Sequence, residues 1–427
     1  MNRVSSLSAV TLFATGAALA SGSETETYAW VQVAQNQTAI VRVITPKSCE
    51  DISTATLTFT ERKAPSNAQI VNLAGTLCEA TQAMASVPTQ ISVDDILLTV
   101  PGTDAPERVL VLGDTGCRET PAEHQNCATD WHFKAIADAS AELRPDLIVH
   151  VGDYTYRKNC GWGEEGCPGS DNALREWSVW EDDFFAPAQS LLAAAPWVFV
   201  RGNHEDCAYR DERAWVGWTQ FFSPQALAGN QPCNVPNSSL MEHFAFDSGA
   251  AARPLNLYVL NANVANYTHG DKFSSLNPSQ ENWILTHVPF WSKNTRRHHE
   301  PFPNGSWPAS DLMLSGHVHL FALHHADSYG TRNAPLQVIQ GASGVNLEGP
   351  GQVYNTKYNF SYENEFSIAM IERDSTDKSH ITLCLRTPSG GLAAFKSWAF
   401  NRQAAGGIVL DNPDTTATRN AACVAPN

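Results

Sequence analysis

The sequence predicts an α/β protein with a small all-β region at its N-terminal side. Three observations carry that prediction. Short apolar runs bounded by glycine, such as 108–112 and 146–151, read as buried strands. Helical patterns alternate with such runs between residues 106 and 402. From Tyr28 to Val100 apolar and polar residues alternate, with no helical stripe of any length. A chain of 427 residues exceeds one average domain, so two domains are expected.

Residues 1–20 have the layout of a signal peptide. Arg3 supplies the positive start, Val10 to Ala20 a short apolar stretch, and Ala18-Leu19-Ala20 a small-x-small cleavage site. Ser, Thr and Gly interrupt the stretch, which is too short to span a bilayer. The mature chain is therefore expected to be exported, secreted or periplasmic, without stable membrane insertion. Residues 21–100 read as a small β-sandwich, with strand patterning at Ala29–Val33, Ala39–Ile44 and Ala55–Thr60. Pro101 to Pro106 reads as a linker, and 106–402 as the catalytic region. Asp130 is placed to cap a helix from Trp131 to about Leu143, with Phe133, Ile136, Ala137 and Ser140 on one face and Pro145 beyond its end. Asp171 to Gln189 is Trp-rich and partly helical, and Trp177, Trp180, Phe184 and Phe185 are expected in the core. Leu336–Gln340, Phe366–Arg373, His380–Arg386 and Leu392–Phe400 are expected to form a closing antiparallel sheet, followed by a polar tail, 403–427.

Five blocks of metal-binding residue types follow the apolar runs. They are Gly113-Asp114-Thr115-Gly116, Gly152-Asp153-Tyr154-Thr155-Tyr156, Gly202-Asn203-His204-Glu205, Thr286-His287 and Gly316-His317-Val318-His319. Ligands at the carboxyl ends of neighbouring strands converge in the crevice where open α/β sheets bind their ligands. Oxygen and imidazole donors in this number suit two first-row ions rather than one, and paired metals activate water against phosphate esters. Asp153 is the candidate bridging carboxylate. Asp114, Tyr156 and His319 would complete one site; the phenolate of Tyr156 favours Fe(III). Asn203, His287 and His317 suit a divalent partner ion, Fe, Zn or Mn. His204 follows a ligand and is free to face the substrate, with Glu205 as the group that orients it.

These blocks resemble the calcineurin-like metallophosphoesterases and, within them, the purple acid phosphatases. That subgroup carries Asp-x-Gly, Gly-Asp-x-x-Tyr, Gly-Asn-His-Asp/Glu, Val-x-x-His and Gly-His-x-His. Here they stand as Asp114-Thr115-Gly116, Gly152 to Tyr156, Gly202 to Glu205, Ile284 to His287 and Gly316 to His319, with Ile284 in place of Val. The broader family has His where Gly116 stands; Gly116 with Tyr156 points to the iron–tyrosinate branch. The resemblance covers roughly residues 105 to 345. It implies a four-layer αββα domain, a fibronectin-like β region before it, and two metal ions whose hydroxide attacks phosphorus in line. His204 then protonates the leaving alkoxide or stabilises the transition state, and activity below neutral pH is expected.

The net charge of −16 disfavours a nucleic-acid-binding surface. A small phosphate ester is the expected partner, and oligomeric state is not indicated. Ten cysteines in an exported chain suggest disulfides. Pairing neighbours gives Cys49–Cys78, Cys117–Cys127, Cys160–Cys167, Cys207–Cys233 and Cys384–Cys423, although spacing alone does not fix connectivity. Sequons begin at Asn36, Asn237, Asn266, Asn304 and Asn359. Arg296, Arg297 and His298 are candidates for substrate phosphate, with a solvated loop the commoner reading of such a run. Two other functions fit the same blocks: a phosphodiesterase of nucleotides or lipid head groups, which would differ in its pocket loops, and a non-catalytic metal binder, disfavoured because no ligand is missing.

Overall fold

The computed structural model describes residues 26–54, 56–64, 69–120, 123–157, 173–205, 212–224, 241–247, 253–260, 276–289, 310–324, 336–349, 360–373, 380–386, 394–402 and 408–410. The expected signal peptide lies outside the described residues. Two large sheets dominate. Among the described residues the first has eleven strands in the order Ile408–Leu410, Ala394–Arg402, His380–Arg386, Ile368–Arg373, Arg108–Leu112, Leu147–His150, Trp197–Phe199, Tyr28–Ala34, Thr38–Thr45, Thr76–Ala83 and Thr60–Glu61. The second has seven: Met241–Phe246, Leu255–Leu260, Glu281–Thr286, Leu312–Ser315, Leu336–Gln340, Phe321–His324 and Phe360–Glu363.

Parallel pairing sits at the centre of each sheet. Leu147–His150 runs parallel to both Arg108–Leu112 and Trp197–Phe199. Leu255–Leu260, Glu281–Thr286, Leu312–Ser315 and Leu336–Gln340 are mutually parallel neighbours. These strands are apolar on both faces because both faces are covered. Val109, Val111, Val149 and Val198 of the first sheet meet Leu257, Trp283, Leu285, Leu314 and Val338 of the second in one core. Leu110, Leu112, Ile148, Trp197 and Phe199 face the other way, against helices.

That helical layer matches the sequence closely in its buried faces. Helix Phe133–Glu142 buries Phe133, Ile136, Ala137 and Ser140. Its N-cap is His132 and carries no side-chain cap, so Asp130 does not take the expected role; its carboxylate accepts the Thr129 hydroxyl at 2.7 Å. Trp177, Trp180, Phe184 and Phe185 are buried, through helix Trp177–Trp180 and the π-helical turn Glu181–Phe185. The neighbours expected for one strand are also corrected. Leu336–Gln340 does not join the closing antiparallel strands; it lies in the second sheet, parallel to Leu312–Ser315. Ile368–Arg373, His380–Arg386 and Ala394–Arg402 do form an antiparallel run at one edge of the first sheet. No helix among the described residues is long and apolar enough to cross a membrane.

The N-terminal segment is all-β; Tyr28–Ala34, Thr38–Thr45, Thr76–Ala83 and Thr60–Glu61 continue the first sheet, through parallel pairing of Gln32 with Trp197, while Thr89–Val93 and Ile96–Val100 pair as a separate two-stranded sheet. Two buried arginines fasten it further. Arg42 donates to the carbonyls of Phe221 and Ser223, and Arg62 to those of Thr219, Gln220 and Ser223, at the end of helix Glu212–Phe221. Cations and donors are favoured where a helix leaves its last carbonyls unpaired. Disulfides join Cys49 to Cys78 and Cys117 to Cys127. Cys384 is also disulfide-bonded; the expected partner Cys423 and the expected 160–167 and 207–233 pairs lie outside the described residues.

Candidate metal centre

The candidate ligands sit where the parallel strands of both sheets end. Arg108–Leu112 leads to Asp114, Leu147–His150 to Asp153, and Trp197–Phe199 to Asn203. From the second sheet, Glu281–Thr286 leads to His287 and Leu312–Ser315 to His317. The strand ends are stitched together: Asp114 N–H donates to Gly152 O at 2.9 Å, Thr115 N–H to Asp153 O at 3.1 Å, and Gly316 N–H to His287 O at 2.9 Å. Asp114, Asp153 and His317 have positive φ (57°, 60° and 70°), a conformation that non-glycine residues adopt at a cost and that clusters at functional sites. Gly202 is required here, because a Cβ on it would collide with Asp153 Oδ1 and its backbone nitrogen. Gly116, where the broader family has His, is likewise fixed by packing: a Cβ there would lie 2.6 Å from Tyr154 O.

The side chains converge in two overlapping groups. On one side Tyr156 Oη lies 2.7 Å from Asp114 Oδ1 and 3.3 Å from His319 Nε2. On the other, Asn203 Oδ1 lies 2.9 Å from His287 Nε2 and 2.7 Å from His317 Nδ1. Asp153 Oδ2 stands between them, 3.0 Å from Tyr156 Oη and 3.2 Å from His287 Nε2. Ligand atoms of Asp153, His287 and His317 all fall within 4.8 Å of one another. Backbone carbonyls fix two imidazoles. His287 Nδ1 donates to Val151 O at 2.7 Å and His319 Nδ1 to Asn346 O at 3.1 Å, so each imidazole turns its Nε2 toward the cluster, the nitrogen that could bind a cation once its proton is lost. Buried carboxylate, amide and phenol oxygens crowd against imidazole nitrogens, and this donor set fits cations.

The electrostatics follow from burying like charges together. Burial, reinforced by the Asp153 charge, pushes the Asp114 carboxyl up to about 8. Burial also opposes ionisation of Asp153, but His287 and His204 outweigh it and hold that carboxyl well below its ordinary value. Burial lowers His287, yet Asp153 prevails and raises it to about 9. Tyr156 is raised well above an ordinary phenol by burial and then by Asp114 and Asp153. Two carboxyls and a phenol in one dry pocket need positive charge to ionise together.

His204 stands beside the cluster. Its Nε2 is 4.0 Å from Asp153 Oδ2, its ring packs on Tyr156 with centroids 4.3 Å apart, and its N–H donates to Asp153 Oδ1 at 2.9 Å. Glu205 has a different position from the one expected. Its carboxylate is engaged by backbone N–H groups of Tyr154 (2.9 Å), Gly202 (3.1 Å) and Asp153 (3.2 Å), locking two ligand loops together. Arg296, Arg297 and His298 lie outside the described residues. Sequence reasoning passed over His150 and Arg118. His150 accepts Gly152 N–H at Nδ1 (3.1 Å), which leaves Nε2–H to donate to Thr115 Oγ1 (2.9 Å), and it stacks on Tyr154 at 4.0 Å beneath both Asp loops. Arg118 lies over the Tyr156 ring, 4.9 Å from its centroid. Its one sequence signal was its place beside Cys117 in a disulfide-closed loop.

Comparison with known proteins gives the same family. The calcineurin-like phosphoesterase family model matches residues 107–321. A stretch of 148 residues is 26% identical to the Arabidopsis thaliana protein named "Probable inactive purple acid phosphatase 24", covering 33% of this chain and 19% of that one. A similar match, 23% identical over 144 residues, covers 33% of this chain and 19% of "Probable inactive purple acid phosphatase 27" from the same plant. The match thus spans a minor part of those relatives' length. Among solved structures, purple acid phosphatase PPD1 from yellow lupin (Lupinus luteus) seeds superposes with a TM-score of 0.56 at 14% identity, covering 88% of this chain and 74% of that one. PhoD superposes with a TM-score of 0.52 at 10% identity, covering 91% and 92%. These two likenesses show the fold.

Proposed function

This chain belongs to the calcineurin-like phosphoesterase family, and from that premise we propose that it is a dinuclear metal-dependent hydrolase of phosphate monoesters, of acid phosphatase type. The observation that carries this reading is the position of Asp153 between the Asp114–Tyr156–His319 group and the Asn203–His287–His317 group. Each group would hold one ion: Fe(III) beside the phenolate, a divalent Fe, Zn or Mn beside the amide and imidazoles. Bound metals supply Lewis-acid neutralisation of the phosphoryl oxygens and activate water at low pH.

The remaining roles belong to the chain itself. Carbonyls of Val151 and Asn346 hold His287 and His319 in the ligating tautomer. Glu205 keeps the Asp153 and Gly202 backbones in register. His204, held against the Tyr156 ring, gives a proton to the departing alkoxide. We read the protein as exported, a reading supported by the Cys49–Cys78 and Cys117–Cys127 disulfides.

The test compares hydrolysis of an aryl phosphate monoester and its bis-aryl diester by metal-loaded protein. Faster monoester turnover, lost in Asp153→Ala, supports the reading. Diester preference replaces it with a phosphodiesterase, and no turnover of either ester by loaded protein replaces it with a metal-binding role.

A further inference from the structure

We propose that Arg118 forms an anion-binding subsite on the Tyr156 side of the centre, where it holds the oxygens of the substrate's phosphoryl group. The proposal rests on the phosphoesterase reading above and names a residue that reading does not use.

Four observations place Arg118 there. Its guanidinium lies over the face of the Tyr156 ring, 4.9 Å from the centroid, while the hydroxyl of the same ring is 2.7 Å from Asp114 Oδ1. Its Nε is buried and has no hydrogen-bond partner among the described residues. A buried N–H without an acceptor is costly, and the missing acceptor is what a ligand oxygen supplies. Its side chain is 16% exposed, and Glu123, the carboxylate its guanidinium contacts, is 58% exposed, so that ion pair is screened by water. Finally, the backbone at Arg118 is tethered on both sides. Cys117–Cys127 closes the loop, Arg118 N–H donates to Gln125 Oε1 at 3.2 Å, Gln125 N–H returns to Arg118 O at 2.8 Å, and Gln125 Nε2 anchors to Gly344 O at 2.9 Å. A planar guanidinium held in one place matches the geometry of phosphate oxygens. A purely structural role would explain the stacking on Tyr156 but leaves the orphaned Nε unexplained.

The test is calorimetric titration of metal-loaded protein with inorganic phosphate, with metal content and melting temperature measured on each sample. Arg118→Gln should weaken phosphate binding on the order of tenfold with metal content unchanged, and Arg118→Lys should recover part of the loss. Glu123→Gln, which removes the competing carboxylate, should tighten binding. Wild-type affinity in folded, metal-loaded Arg118→Gln overturns the proposal. If that variant does not fold, unchanged or weaker binding by Glu123→Gln overturns it instead. Failure of the wild type itself to bind phosphate counts against the phosphoesterase reading rather than against Arg118.

Discussion

The hydroxyl of Tyr156 donates to Asp114 Oδ1 at 2.7 Å, joining residues 42 positions apart at the ends of two neighbouring strand loops. The same hydroxyl lies 3.0 Å from Asp153 Oδ2. One phenol oxygen is thus shared between two buried carboxylates, the environment in which a trivalent cation would replace the phenol proton.

Asp153 lies between the two ligand groups. Asp153→Ala removes the carboxylate that stands between the Tyr156 hydroxyl and the His287 imidazole, so bound metal should fall and ester hydrolysis should drop by more than about a hundredfold. Metal analysis and steady-state kinetics on the purified variant check this. Full activity would mean that the two groups do not act as one centre.

Metal binding should release protons. With Asp114 raised to about 8 and His287 to about 9, both groups carry protons at neutral pH in chelator-treated protein, and ligation requires their loss. Calorimetry in buffers of different ionisation enthalpy should report proton release at pH 7 and weaker metal affinity as pH falls. The stability sign follows from the same shifts. A group raised in the folded state stabilises below its unfolded value and loses that contribution as pH rises through its folded value. Chelated protein should therefore melt at progressively lower temperature from about pH 4 through Asp114, and from about pH 6.5 through His287 as well, up to about pH 9, while metal-loaded protein should not.

Glu205→Ala should act through the backbone. It leaves the buried N–H groups of Asp153, Tyr154 and Gly202 without their acceptor, a loss on the order of 3 kcal/mol or more in stability. Metal affinity should weaken roughly 10–100-fold as the ligand loops loosen. Thermal melts and competitive chelation measure both. A fall in kcat with metal affinity unchanged would restore the role expected from sequence, orientation of His204.

Arg42→Ala tests the attachment of the N-terminal strands. Arg42 is fully buried and serves the last carbonyls of helix Glu212–Phe221. Its truncation should cost about 3–5 kcal/mol in denaturant unfolding. A loss below about 1 kcal/mol would mean that strand pairing alone holds the segment in place.

Much of this was legible in the sequence, and what was not has a common physical cause. Asp114, Asp153, Asn203, His287 and His317 could be found because glycine-bounded apolar runs mark strand ends, and strand ends are where ligands gather. The buried face of Phe133–Glu142 was legible from helical period. Leu336–Gln340 was assigned to the wrong neighbours because an apolar run records burial but not which strand lies beside it. The continuity of Tyr28–Ala34 with Trp197–Phe199 was hidden for the same reason. The backbone partners of Glu205 and the place of Arg118 escaped because the direction of one side chain is set by tertiary packing and leaves no periodic trace.

The most direct measurement is the visible absorption spectrum of purified wild type and Tyr156→Phe, with metal content determined on the same samples. Two metal ions per chain are expected in the wild type, one of them iron, with a violet phenolate-to-Fe(III) band that is absent from Tyr156→Phe. A colourless wild type holding two divalent ions, or a band that survives the substitution, would contradict the placement of Tyr156 on iron.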